Sequence, residues 1–320
     1  RAGEAARGAA PGEARGAAAG AEGGAMRATL SKLDVVRPRD LAHALRLLHA
    51  SLRRERLVPL AGGTDLLVLL NSGVVPGKRF LDLWGLRGLR GVRVRDGGLE
   101  IGALTTFTDL RGDARITRRY PALAAAAAEI GAWQVQNRGT LGGNIANASP
   151  AGDSLPVLLA LEAVVQARSV RGPRAVPFTK LFLGYRDLAL EPDELITAVT
   201  LPAPPARARQ FFRKVGTRRA QSISKVVLAG LLRTGRDGRV DVARVALGSV
   251  APVTLRARRV EQALLGARPC AAAAEAARAA LLRDIAPIDD VRSERDHRLR
   301  VAGNVLVQFL RVAEPRFARG

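Results

Sequence analysis

The chain has 320 residues, long enough for two or three domains, and its 48% apolar residues can fill buried cores, which excludes wholesale disorder. Its formal charge is +22, from 51 Lys and Arg against 29 Asp and Glu, so a polyanionic partner has to be weighed. One cysteine, Cys270, excludes an internal disulfide and a cysteine-held iron–sulfur or zinc centre built from this sequence alone.

Residues 1–25 are almost entirely Ala, Gly, Arg, Glu and Pro. With nothing large and apolar to bury they are expected to be disordered, and they lack the apolar stretch of a secretory signal. The lone methionine, Met26, stands where patterned sequence begins, so the preceding segment is set aside as a mis-set start or read-through. With no export signal read, the expected address is cytoplasmic.

From residue 39 to 52 the apolar residues Leu41, Leu45, Leu48 and Leu52 recur at helical spacing, with Asp40 at the start. Strands are predicted at 57–61 and 80–83, giving a small α/β unit over 26–86. Residues 92–94 and 99–103 pair as a hairpin turned at Asp96-Gly97-Gly98. Thr106 or Thr108 caps a short helix, and 121–131 is an Ala-rich helix with proline in its first turn and glycine at its end. Residues 141–150 carry no period; 155–161 is apolar enough for a short buried helix, and strands follow at 163–167 and 195–201.

Pro202, Pro204 and Pro205 mark a boundary, so a second unit spans 87–205 and a third 206–320. In the third, strands at 210–215, 226–232 and 240–248 precede helices at 254–266, 271–285 and 295–312. That order predicts a three-stranded antiparallel sheet with helices on one face. The fold class is α+β.

Only five of the 51 basic residues are lysine, and the arginines are scattered through every segment. This reads as a coding bias more than selection for nucleic acid, and 4% aromatic residues leave little surface for stacking on single strands. His43 and His49 are six apart on the predicted helix and share no face, so no metal site is read; they are placed as surface or half-buried side chains. The longest apolar runs, 66–70 and 223–232, fall short of a membrane span.

The chemistry lies in two glycine-pair segments, Ala61-Gly62-Gly63-Thr64-Asp65 and Thr140-Leu141-Gly142-Gly143-Asn144, the latter leading to Asn147 and Asp153. Paired glycines admit positive φ and clear side chains from consecutive backbone N–H groups, which can then converge on an anion. Neither is a P-loop or a G-x-G-x-x-G unit, so a P-loop ATPase and an ordinary Rossmann dehydrogenase are set aside. These residues alone reach as far as a nucleotide or phosphate site. Asp65 and Asp153, each before an apolar run, are also candidate helix caps.

The strings NRGTLGGNIANASPAGDSLPVLLAL at 137–161, PLAGGTDLLVLL at 59–70, FRKVGTRRAQSISKVVLA at 212–229 and DVRSERDHRLRVAGNVLVQFL at 290–310 resemble the FAD-binding (medium) subunit of the molybdenum hydroxylases. The likeness spans about residues 30–312. It implies a two-subdomain FAD-binding fold like that of vanillyl-alcohol oxidase, followed by the α+β domain. It further implies that Gly62-Gly63 and Gly142-Gly143 hold the FAD diphosphate through backbone amides, with Ala61 beside them and Thr64, Thr140 and Asn144 adding donors. Asp153 matches a position whose carboxylate takes the adenosine ribose hydroxyls, and Asn147 one that reaches the flavin or its ribityl chain. Ile130 and Ile196 fall near positions that pack on the ring. Lys214 matches a lysine beside the isoalloxazine, where a cation favours the reduced state. Trp133 is placed in the core, and His297 stands where relatives often carry Tyr.

By the same resemblance the chain is an electron-transfer subunit with no catalytic side chain. It takes electrons from a small [2Fe-2S] subunit, works beside a large molybdopterin subunit in a dimer of heterotrimers, and passes electrons to NAD or a quinone. Arg298 and Arg300 on the last helix are candidates for a patch docking the small subunit. A stand-alone flavin oxidoreductase of the same fold is the alternative reading.

Overall fold

The computed structural model describes residues 33–73, 79–218 and 221–318; the expectation for residues 1–25 lies outside them. The first unit opens with β1 (Asp34–Val36), α1 (Leu41–Ser51), β2 (Val58–Leu60), α2 (Leu66–Asn71) and β3 (Arg79–Asp82), whose strands form a parallel sheet in the order β1-β3-β2. Asp40 caps α1 by accepting from the His43 amide at 2.7 Å. Of the predicted stripe, Leu45 and Leu48 are buried and Leu41 half-buried, with Ala44 beside them, whereas Leu52 falls just past the helix end and is exposed.

The second unit is built on a five-stranded antiparallel sheet, β4-β5-β10-β6-β7. Strands β4 (Val92–Arg95) and β5 (Gly98–Gly102) meet at Asp96 and Gly97, both at positive φ (48° and 73°), as a two-residue hairpin requires. Short helices follow: α3 (Phe107–Gly112), α4 (Ala114–Arg119), α5 (Pro121–Glu129), α6 (Trp133–Arg138), α7 (Leu141–Asn147) and α8 (Ser154–Ala160). Thr106, not Thr108, caps α3 through a reciprocal bond with Asp109. Strands β6 (Val164–Ser169) and β7 (Gly172–Pro177), the small hairpin of β8 (Phe182–Gly184) and β9 (Asp187–Leu188), and β10 (Leu195–Leu201) complete the unit.

Helix α7 corrects the aperiodic reading of 141–150. Leu141 and Ile145, one helical turn apart, are both fully buried, but two glycines between them hide the period. Burying each apolar side chain contributes about 2 kcal/mol, enough to hold a two-turn helix that propensity disfavours.

The third unit contains β11 (Arg209–Val215), β12 (Val226–Thr234), β13 (Val240–Gly248) and β14 (Leu255–Arg256), then α9 (Arg258–Leu264), α10 (Ala271–Leu281) and α11 (Arg295–Ala313). Its antiparallel sheet runs β11-β12-β13-β14, so a two-residue fourth strand joins the three expected, and the helix predicted from 254 starts at 258. Nor is one face open. Val226, Leu228 and Leu232 pack on the C-terminal helices, while Ala229 and Leu231 join the core of the second unit around α5 and α8. A strand covered on both faces explains the unbroken apolar run of β12. Arg298 is 5% exposed, donating to the Ser249 carbonyl at 2.8 Å and Asp290 Oδ1 at 2.6 Å, which removes it from any docking patch; Arg300 is exposed. Among the described residues no helix is long and apolar enough to cross a membrane.

Candidate flavin site

The first glycine pair follows β2 directly. Gly63 takes φ +75°, a conformation that turns the chain into α2 at little steric cost only for glycine. Leu67 returns its amide to the Gly63 carbonyl at 2.9 Å and Leu69 to the Asp65 carbonyl at 3.1 Å. Among the described residues, the amides of Gly62, Gly63, Thr64, Asp65 and Leu66 have no acceptor. Five consecutive free donors at a positive-φ turn are the donor set an anion with several oxygens requires. Asp65 occupies the capping position of α2 but makes no capping bond.

The second pair differs from the expectation. The Leu141 amide bonds the Thr105 carbonyl at 3.0 Å and Gly142 bonds Ala103 at 2.8 Å. Gly143 donates to Thr140 Oγ1 at 3.1 Å, and Asn144 to the Thr140 carbonyl at 3.0 Å. These amides are therefore engaged, and the Thr140 hydroxyl oxygen is a helix cap. What the pair supplies is room. A Cβ on Gly142 would sit 2.7 Å from the Ala103 side chain and 2.9 Å from its carbonyl, whereas one on Gly143 would meet Thr140 Oγ1 at 2.9 Å and nothing else within 4 Å.

The two segments are apposed around one cavity of about 380 Å³. It is lined by Ala61, Gly62, Gly63, Thr64, Asp65, Thr140, Gly142, Gly143, Asn144, Asn147 and Ile196, with Ile130 on its wall. Asn144 accepts from Ser154 Oγ at 2.7 Å, which leaves its amide hydrogens as donors. Sequence reasoning missed Leu104, Phe107, Val135, Leu190 and Leu195, also on the wall; as ordinary core-type residues from separate elements they carry no local signal. It also missed Arg186 at the tip of the β8–β9 hairpin, which donates to Asn147 Oδ1 at 3.4 Å. Partial desolvation raises the Asp65 carboxyl above its ordinary value, opposed by Arg186.

Asp153 and Lys214 do not line this cavity. They bond each other at 2.6 Å, with side chains 8% and 4% exposed. Burial pushes the Asp153 carboxyl up, opposed by Lys214 and by the Ser224 hydroxyl, which donates to Oδ1. Trp133 is also not core: it is 63% exposed, with the Arg111 guanidinium 4.2 Å from its ring centroid.

A turn of five free amides beside a cavity walled by apolar residues, on a mixed sheet-and-helix scaffold, is the arrangement of an anion-binding site large enough for a nucleotide cofactor. The donor set is neutral and long enough for a diphosphate, and the cavity wall is apolar enough for a ring system, so the residues fit FAD. Residues 31–204 match the FAD binding domain in molybdopterin dehydrogenase, and residues 211–313 the CO dehydrogenase flavoprotein C-terminal domain. The chain is 34% identical over 244 residues to the xanthine dehydrogenase FAD-binding subunit of Escherichia coli O157:H7, covering 76% of this chain and 83% of that one. It is 30% identical over 259 residues to the carbon monoxide dehydrogenase medium chain of Hydrogenophaga pseudoflava, covering 81% and 90%. Carbon monoxide dehydrogenase from that organism has a similar structure, with a TM-score of 0.85 at 31% identity over 89% of this chain and 98% of that one. Quinoline 2-oxidoreductase from Pseudomonas putida 86 gives 0.81 at 26% identity, over 88% and 96%. The chain belongs to the FAD-binding subunits of the molybdenum hydroxylases, and so to the oxidoreductases.

Proposed function

We propose that FAD lies in the cavity with its diphosphate on the free amides of residues 62–66 and its ring against the wall that carries Ile130 and Ile196. The run of five amides without acceptors is the observation that carries this reading. Dipoles meet the two phosphate charges without a cation having to be desolvated beside them. Thr64, Asn144 and Asn147 supply side-chain hydrogen bonds, and Gly142-Gly143 clears space for the cofactor. Asp153 acts on Lys214 and not on the ribose, and Lys214 stands behind the wall against which the ring lies, where it bonds the carbonyl of Glu129.

The working unit pairs this chain with a large molybdopterin subunit and a small [2Fe-2S] subunit, as a dimer of heterotrimers in the cytoplasm, with domain boundaries near 86 and 205. Bound FAD supplies the exchange between single-electron traffic from the clusters and two-electron delivery to NAD or a quinone. The protein's part is to bind and orient the cofactor and set the charge around it.

The test is direct. Purified protein is yellow and releases FAD, not FMN, on denaturation; a colourless chain that takes up neither on incubation overturns the reading. Reduction of that FAD by a reconstituted [2Fe-2S] subunit, followed by NAD or quinone as oxidant, identifies donor and acceptor.

A further inference from the structure

Ser224, in the segment leading into β12, is 2% exposed and donates its hydroxyl to Asp153 Oδ1. Lys214 Nζ takes the other carboxylate oxygen at 2.6 Å and also donates to the Glu129 carbonyl at 3.1 Å. This cluster adjoins the cavity wall on one side directly and on the other through a hydrogen bond. Glu129 precedes Ile130, which lines the cavity; Asp153 precedes Ser154, whose hydroxyl holds the cavity residue Asn144.

The arrangement exceeds what packing alone needs. A buried ion pair gains little over apolar residues of equal volume, so its presence calls for another reason. Without Ser224, one oxygen of a buried carboxylate would lack a donor, and the carboxylate could turn to offer Lys214 either oxygen. With Ser224 on Oδ1, Lys214 is confined to Oδ2 and its ammonium to one place.

We propose that Ser224 is a positioning residue of the flavin site, fixing the Asp153 carboxylate so that the Lys214 cation is held at one point behind the wall, where it sets the reduction potential of bound FAD. The proposal rests on the reading that FAD fills this cavity. Removing the hydroxyl leaves the carboxylate's charge less compensated, so the field at the ring becomes more negative and the reduced state less favourable.

The experiment is spectroelectrochemical titration of the FAD in the assembled complex for wild type, Ser224→Ala and Ser224→Thr, with FAD content and thermal unfolding measured on the same samples. Ser224→Ala retains FAD and fold but lowers the midpoint potential. At the wild-type midpoint its oxidised-to-reduced ratio shifts by roughly threefold to tenfold, tenfold being about 30 mV for a two-electron couple. Ser224→Thr, which keeps the hydroxyl, restores the wild-type value. An unmoved potential in a flavin-loaded Ser224→Ala complex, or a folded Ser224→Thr complex that behaves like Ala, overturns the proposal while the FAD reading stands. A wild-type chain without FAD sinks both.

Discussion

A Cβ placed on Gly62 would lie 1.8 Å from the Arg138 carbonyl oxygen, so the turn after β2 and the segment leading into α7 are in backbone contact. That contact sets the spacing of the two sides of the flavin cavity. No rotamer relieves such a clash, because the obstacle is main chain. Gly62→Ala must therefore push the segments apart, at about 1–3 kcal/mol of stability and with loss of FAD. FAD content per chain and urea unfolding together check it; a variant with wild-type FAD content would show that the apposition is dispensable.

Gly143→Val separates binding from folding. Its added side chain meets Thr140 Oγ1 and otherwise open cavity, so the fold survives while a branched group occupies cofactor space. FAD is expected to be lost at least a hundredfold in affinity, with the C-terminal unit unfolding as in wild type. Gly142→Ala, facing the Ala103 backbone, is expected to lose both. Fluorescence titration of apoprotein with FAD distinguishes the two variants.

These two glycine pairs also mark where sequence was sufficient. Strand β10 and the β4–β5 hairpin follow from apolar runs and turn chemistry, and the positive φ expected of a glycine pair is found at Gly63. Which amides remain free is not legible, because it depends on Ala103 and Thr105, about forty residues upstream of Gly142. The same holds for Asp153 and Lys214, whose 2.6 Å contact joins α8 to β11 across 61 residues of chain. Trp133 was misplaced because nothing local distinguishes an aromatic ring in the core from one covered by a distant arginine.

The Asp153–Lys214 contact makes its own prediction. Lys214→Met leaves a buried carboxylate without its cation, a loss of about 3–5 kcal/mol. Part of this returns at lower pH, where the carboxyl takes a proton and no longer buries a charge. Adding Asp153→Asn removes the stranded charge and recovers most of the stability, though the flavin potential stays below wild type. A double-mutant cycle by thermal unfolding measures the coupling; additive losses would mean that the two side chains stabilise the protein independently.

Asp193 ties α1 to the β6–β7 turn through His49 Nδ1 at 2.7 Å and the Arg171 guanidinium at 2.6 and 2.8 Å. Arg171 first, then His49, lowers its carboxyl from an ordinary 3.8 to about 2 against the opposing effect of burial. For an acid whose folded value is depressed, the contribution is fully present above the unfolded value and is lost as pH falls from about 4 towards 2. Its two partners are about half exposed, so screening reduces the contribution to about 1–2 kcal/mol. Asp193→Asn is thus expected to be less stable than wild type by that amount at pH 7 and to converge with it near pH 2. Glu314, lowered to about 2 by Arg316, titrates in the same window, so the readout is the difference between the two proteins at each pH. A gap that stays constant from pH 7 to pH 2 would mean that the loss in the variant is steric and owes nothing to the charge of Asp193.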